Sequence, residues 1–236
     1  MAGLGRGVPS LAPLHLAGER LMLDPAGALV WPAQRLLAVA DLHLEKASAA
    51  AARGSLLPPW DSHATLERLG LLLRRHAPEV VVAVGDSFHD VGGAGRLAGA
   101  DAELLAGFTR AARFVWVLGN HDPAPPAGLA GEACAEWRAG PLVFRHEGVP
   151  GASGEISGHF HPSARVSLRG ESLVRPCFLA DARRVLLPAL GAYTGGLDIR
   201  DPAIAALFPR GGRAFLLGRE RLFSFAYAAL RGARAG

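Results

Sequence analysis

The rhythm of apolar and polar positions changes part-way along the chain. In the first half, three continuous apolar runs of strand length each stop at a polar cluster. Residues 35–40 run into Asp41-Leu42-His43, residues 79–84 into Gly85-Asp86, and residues 113–118 into Gly119-Asn120-His121-Asp122. Unbroken apolar runs of this length predict parallel strands buried on both faces. Between them, Leu66, Leu69, Leu72 and Leu73 recur at helical spacing over 62–76, with Asp61 placed to cap the helix. Leu97, Leu104, Leu105 and Phe108 do the same over 96–112, after a loop at 92–95. Short strands over 14–16, 20–23 and 28–31, joined by Pro/Gly turns, precede this unit. Strand alternating with helix predicts an α/β architecture with right-handed crossovers. In the second half, short strand-like runs at 142–146, 154–157, 165–168, 172–179, 184–187, 214–217 and 222–225 are divided by Gly and Pro. They predict a mainly antiparallel second sheet. The architecture expected is a single domain over 1–236, with two sheets packed together and helices outside.

Composition narrows the class. At 50% hydrophobic and 19% charged, the chain is globular and not a disordered tail. Its only cysteines, Cys134 and Cys177, form no C-x-x-C pair, so a disulfide framework and a thiolate zinc site are excluded. No signal peptide is readable and no apolar run reaches about 18 residues, so a cytoplasmic protein without a membrane span is expected. Charge is uneven: residues 1–162 carry a net −3 and residues 163–236 a net +7. A basic half beside an acidic one suits a phosphate-containing polymer if Arg165, Arg169, Arg175, Arg183, Arg184 and Arg210 face the site. Lys46 is the only lysine, and coding bias alone would explain the arginine preference.

Candidate chemistry gathers at strand ends. Of nine histidines, His43, His121, His146, His159 and His161 lie at or just past one. Asp41 and His43 are two apart, as are His159 and His161, so on extended backbone each pair points one way. Glycine precedes Asp86, Asn120 and His159, where the chain must turn sharply. Carboxylate, carboxamide and imidazole donors without thiolate favour a divalent ion such as Mn, Fe or Zn. His15, His63 and His76 fit no motif and read as surface or capping residues. P-loop and Gly-x-Ser-x-Gly patterns are absent.

The order Asp41-x-His43, Gly85-Asp86, Gly119-Asn120-His121-Asp122, His146, Gly158-His159-x-His161 resembles the calcineurin-like metallophosphoesterase superfamily. The longer strings at 40–46 (ADLHLEK), 85–90 (GDSFHD) and 191–198 (GAYTGGLD) are similar to its bacterial ligase-associated DNA damage response endonucleases (PdeM). The resemblance implies an α/β fold, an αββα sandwich of two mixed β-sheets flanked by helices. It implies two divalent ions, Mn2+ in the first place, and a Mn-dependent phosphodiesterase cutting single-stranded DNA. It implies a repair setting shared with a DNA ligase, an exonuclease and a helicase. It places Asp41, His43 and His161 on one metal and Asn120, His146 and His159 on the other, with Asp86 bridging both. Asn120 would also meet the substrate. His121 would be the general acid, and Asp122 would orient it. Two departures stand out: Asp122 where many members have Glu, and a second motif offering both His89 and Asp90, of which His89 is the candidate for substrate contact. Two alternatives stay open: a phosphodiesterase or phosphatase for cyclic nucleotides or dinucleotides, and a non-catalytic scaffold of the same fold.

Overall fold

The computed structural model describes residues 10–126, 128–168 and 171–231. The chain opens with three antiparallel strands, β1 (Ala12–Leu16), β2 (Glu19–Leu23) and β3 (Leu29–Trp31). β3 pairs antiparallel with β4 (Leu36–Ala40), the first of the continuous apolar runs. After α1 (Lys46–Ala52) and α2 (Asp61–His76), β5 (Val80–Val84) joins β4 in parallel. α3 (Gly93–Arg96) and α4 (Gly99–Ala111) lead to β6 (Arg113–Val117), parallel to β5, and β7 (Glu132–Cys134) closes the sheet in parallel. The order among the described residues is β1 to β7 in sequence.

The second sheet begins with the antiparallel pair β8 (Glu136–Ala139) and β9 (Leu142–Arg145). β10 (Glu155–Ser157) lies parallel to β9. β11 (Ser163–Leu168) and β12 (Glu171–Ala180) form a long hairpin, and β12 continues into the sheet beside β13 (Arg184–Leu186). β13 is parallel to β10. After α5 (Pro202–Leu207) come β14 (Arg213–Leu217), β15 (Leu222–Ala226) and α6 (Tyr227–Arg231). The sheet is mainly antiparallel, as expected, but its centre is parallel where β9, β10 and β13 run together.

Alternation along the strands sorts side chains into three cores. Leu36, Ala38, Val82, Val84 and Val115 meet Phe144, Ile156, Phe178 and Val185 between the sheets. Their neighbours Leu37, Val39, Val81 and Ala83 pack outward against Leu66, Leu69 and Leu72 of α2 and Leu105 of α4. On the far side, Cys177, Leu179, Leu186 and Leu216 pack against Ile204 and Leu207 of α5 and Tyr227 of α6. Four layers result: helices, sheet, sheet, helices. Both cysteines are free.

Three local expectations need correction. Asp61 begins α2 but does not cap it. Its carboxylate accepts from the Ala47 amide at 3.0 Å, at the start of α1, while Ser62 Oγ accepts from the Glu45 amide at 2.8 Å. The loop expected at 92–95 contains the short helix α3, with Gly93 seated against Phe88. The helix expected over 96–112 is interrupted: Leu97 and Ala98 are extended and Gly99 sits at φ +58°, so α4 starts afresh.

Candidate metal centre and active site

Each functional loop leaves the carboxyl end of a strand, and backbone bonds lace the loops together. The His43 amide donates to Asp86 O at 2.9 Å and the Leu44 amide to Ser87 O at 3.0 Å, carrying the parallel pairing of β4 and β5 past the strands. The Leu190 amide donates to Ala40 O at 2.9 Å, which joins the two sheets at this end. The expected extended geometry of Asp41-x-His43 and His159-x-His161 is not what forms. Asp41 (φ 52°), His43 (42°), Asp86 (41°), His159 (72°) and His161 (45°) all occupy the left-handed region. Non-glycine residues there cost on the order of 1 kcal/mol each, a strain that collects where side chains must converge.

Two glycines make the convergence possible. A Cβ on Gly85 would lie 1.9 Å from His146 Nδ1, and one on Gly119 would lie 2.1 Å from Asp86 Oδ1. The imidazole and the carboxylate thus sit where a side chain would otherwise stand.

Three groups of donors gather. In the first, His43 Nε2 lies 3.2 Å from His161 Nε2, and His161 Nε2 lies 3.6 Å from Asp41 Oδ1. In the second, His146 Nε2 lies 2.8 Å from Asn120 Oδ1, 2.9 Å from His159 Nδ1 and 3.4 Å from Asp86 Oδ2. Asp86 Oδ2 is also 3.8 Å from His43 Nε2, so one carboxylate oxygen stands between both groups. The third comprises His43, His89 and His121. His89 Nδ1 lies 3.3 Å from His43 Nδ1, and its ring stacks on His121 with centroids 5.1 Å apart.

Protonation states follow from the surroundings. Burial, reinforced by the neighbouring His161, His121 and His89, pushes His43 down to about 2, so it is neutral. Burial also lowers His89 and His146. At His161 burial is outweighed by the Asp41 carboxylate and the Gly195 carbonyl, and the value rises. Burial, with the Asp86 charge, raises Asp122 to about 6 against the amide bonds it accepts.

These donors suit divalent ions. The Gly195 carbonyl, 3.2 Å from His161 Nδ1, accepts a hydrogen bond there, and Nε2 is left toward His43. His43 and His161 then face each other nitrogen to nitrogen, as His146 and His159 do. Imidazole nitrogens brought together in this way, flanked by two carboxylates, form a donor set that fits a divalent cation.

One expected contact is absent. The Asp122 carboxylate accepts from the Phe88 amide at 3.0 Å and the Gly119 amide at 3.1 Å, tying two loops together, and does not reach the His121 ring. The His89 carbonyl takes that role, 2.9 Å from His121 Nδ1. A carbonyl only accepts, so Nδ1 carries a proton and Nε2 is left free of that bond. Asp90 pairs with Arg96 at 2.8 Å, so of the two candidates in the second motif it is His89 that enters the cluster. Lys46, whose role the sequence did not indicate, donates to the Tyr193 carbonyl at 2.9 Å and places a cation at the rim.

A family model for calcineurin-like phosphoesterases matches residues 34–169, more than half of the chain. The chain belongs to this family. Calcineurin-like phosphoesterases are metal-dependent hydrolases of phosphoester bonds, and that is the activity class here; the non-catalytic scaffold alternative falls away. Among solved structures the chain is similar to the Pseudomonas putida nuclease MPE, at 33% identity and a TM-score of 0.70, over 92% of this chain and 100% of that one. A looser likeness is to Yfce, a phosphoesterase from E. coli, at 14% identity and a TM-score of 0.40, over 81% of this chain and 98% of that one. No curated protein matches. Among the described residues, no helix is long and apolar enough to cross a membrane.

Proposed function

We propose that this phosphoesterase is a Mn-dependent DNA phosphodiesterase that cuts single strands, working in repair beside a DNA ligase, an exonuclease and a helicase. The observation that carries the reading is Asp86: a single buried carboxylate oxygen lies 3.8 Å from His43 and 3.4 Å from His146, between two donor groups. The similarity to a nuclease supports nucleic acid as the substrate. In this reading Asp41, His43 and His161 hold one ion, Asn120, His146 and His159 the other, and Asp86 serves both. Oxygen and imidazole donors without thiolate favour Mn over softer ions. The ions supply Lewis-acid neutralisation of phosphate charge and an activated water.

The remaining steps belong to the chain. Asn120, exposed beside its ligand position, is placed to contact a phosphate oxygen. His121, oriented through Nδ1 by the His89 carbonyl, presents Nε2 to the leaving oxygen and in its imidazolium form donates a proton to it. His89, stacked against His121, lines the substrate side of the cluster. Asp122 holds the loops after β5 and β6 in register and so positions His121 through the backbone.

Metal analysis after Mn reconstitution should give about two ions per chain, and chelation should abolish nicking of circular single-stranded DNA. Asp86→Ala should lower the metal content and bring nicking to background. Wild-type turnover in that variant would show that Asp86 is not the shared ligand. Hydrolysis of cyclic nucleotides without nicking would move the substrate to a small molecule.

A further inference from the structure

Along the β11–β12 hairpin lies a groove of 860 Å³ that the chemistry described so far does not use. Arg68 of α2, Arg175 of β12 and Arg219 after β14 line it, together with Leu173, Phe223 and Phe225. Among the described residues, no acidic side chain lines it. Phe223 is 43% exposed and Phe225 36%, unusual for large aromatic side chains in a sheet. They are two apart on β15 and therefore share a face, about 7 Å apart along the strand. The Arg221 guanidinium sits 4.9 Å from the Phe223 ring centre, which adds a cation to the platform.

The groove adjoins the hollow beside His161 at one residue. Pro176 lines both the groove and the 230 Å³ hollow that contains His161. Arg68 donates to the Leu190 carbonyl at 2.9 Å, and the Leu190 amide bonds Ala40 O immediately before Asp41. A strand passing from His161 over Pro176 would reach the hollow that Arg175 and the two phenyl rings line.

We propose that this groove is the path of single-stranded DNA leaving the active site, with bases stacked on Phe223 and Phe225 and phosphates paired with Arg68, Arg175 and Arg219. The inference rests on the reading of the site as a DNA phosphodiesterase. Arginine without counter-carboxylates complements a polyanion, and exposed aromatic faces stack on bases of any sequence. Paired bases present no free face, so the path selects single strands.

The test uses the Mn-loaded full chain, a fluorescein-labelled oligothymidylate and its duplex, and bis(nitrophenyl) phosphate as a small diester. The double variant Phe223→Ala/Phe225→Ala should weaken oligothymidylate binding by about tenfold or more, because stacking on each ring contributes to affinity. Small-diester turnover and the circular dichroism melt should stay at wild-type values. Phe223→Trp should keep wild-type affinity. Arg175→Ala should reduce the slope of log affinity against log salt by about one phosphate contact. Unchanged affinity in the double variant overturns the proposal. So does a shift from dimer to monomer in light scattering with affinity retained, which would make the surface a self-interface. Equal loss on duplex and single strand overturns the stacking arm. Wild-type protein that turns over the small diester but binds no oligothymidylate defeats the groove and leaves the catalytic reading standing. Binding without turnover of any diester defeats the catalytic reading and leaves the groove.

Discussion

At the scale of single residues, the proposed acid His121 is the most direct point of test. Its Nδ1 is committed to the His89 carbonyl at 2.9 Å, and its backbone amide donates to Asp86 Oδ1 at the same distance. The side chain is therefore oriented without being placed in either of the two groups that Asp86 joins. A general acid matters in proportion to the leaving group's need for a proton. His121→Ala should slow cleavage of DNA, whose alkoxide leaves poorly, by about 100-fold or more, and slow release of nitrophenolate far less. Its metal content should equal that of wild type. By contrast, His159→Ala should reduce both reactions together. Equal loss on both substrates, or loss of an ion, in His121→Ala would make His121 a ligand or phosphate anchor. The sequence indicated which histidines would gather, because their motifs sit at strand ends. It could not indicate that Asp122 binds the Phe88 and Gly119 amides and not the imidazole, since that depends on how two loops lie across each other.

At the scale of elements, the continuous apolar strands β4, β5 and β6 and the leucine-striped α2 were legible, because burial on both faces or on one stripe dictates their pattern. β7, β8 and α1 were not. β7 and β8 are three or four residues long and depend on their neighbours for pairing, and α1 is an alanine run with no apolar stripe. α5 carried a signal that went unused: Asp201 accepts from the Ala203 amide and Pro202 takes the first helical position. The loop after β5 offers a direct test of how elements build the site. Gly85→Ala would place a methyl group 1.9 Å from His146 Nδ1 at a backbone φ of +73°. His146 must move, and metal affinity should fall by about tenfold or more, as it does when support for a ligand is lost. Calorimetric titration of the metal-free protein with Mn measures this, and an unchanged affinity would show that the His146 ring is not held by the bare Gly85 backbone.

At the scale of the whole molecule, charge had to be located before it could be interpreted. Of the arginines weighed as facing a polymer, Arg184 is buried and paired with Glu155 at 3.0 Å. Arg183 and Arg210 border a hollow with His15 and Asp181, at the amino end of β13 and away from the metal centre. Arg165 and Arg175 lie on the hairpin beside His161. Arg169 falls outside the described residues. Stability also has a long-range component. Fully buried Asp24, in the turn after β2, receives Arg75 at 2.7 Å and His76 at 2.8 Å from the end of α2. Burial alone would raise its carboxyl, but bonds from His76, Ala26 and Arg75 outweigh it and the value is lowered. A lowered carboxyl stabilises the fold above the unfolded value of about 3.9, and that contribution disappears as pH falls through the folded value. Asp24→Asn should therefore cost about 2 kcal/mol at neutral pH and progressively less in acid, measured by urea unfolding across the pH range. A difference independent of pH would assign the loss to shape and not to charge.

The sequence by itself determined the class of chemistry and the frame that carries it. Buried strands need continuous apolar runs, and the polar motifs that interrupt them must lie at strand ends, so both are written in linear order. Tertiary structure alone decided which donors meet. Asp41 and His161 are far apart in the chain, and five site residues, all Asp or His, adopt left-handed conformations that the apolar and polar pattern does not announce. It alone separated Arg184, neutralised in the core, from Arg175 in the groove. Convergence, burial and counter-charge are relations between distant segments, and spacing along a chain does not encode them until the sheets close.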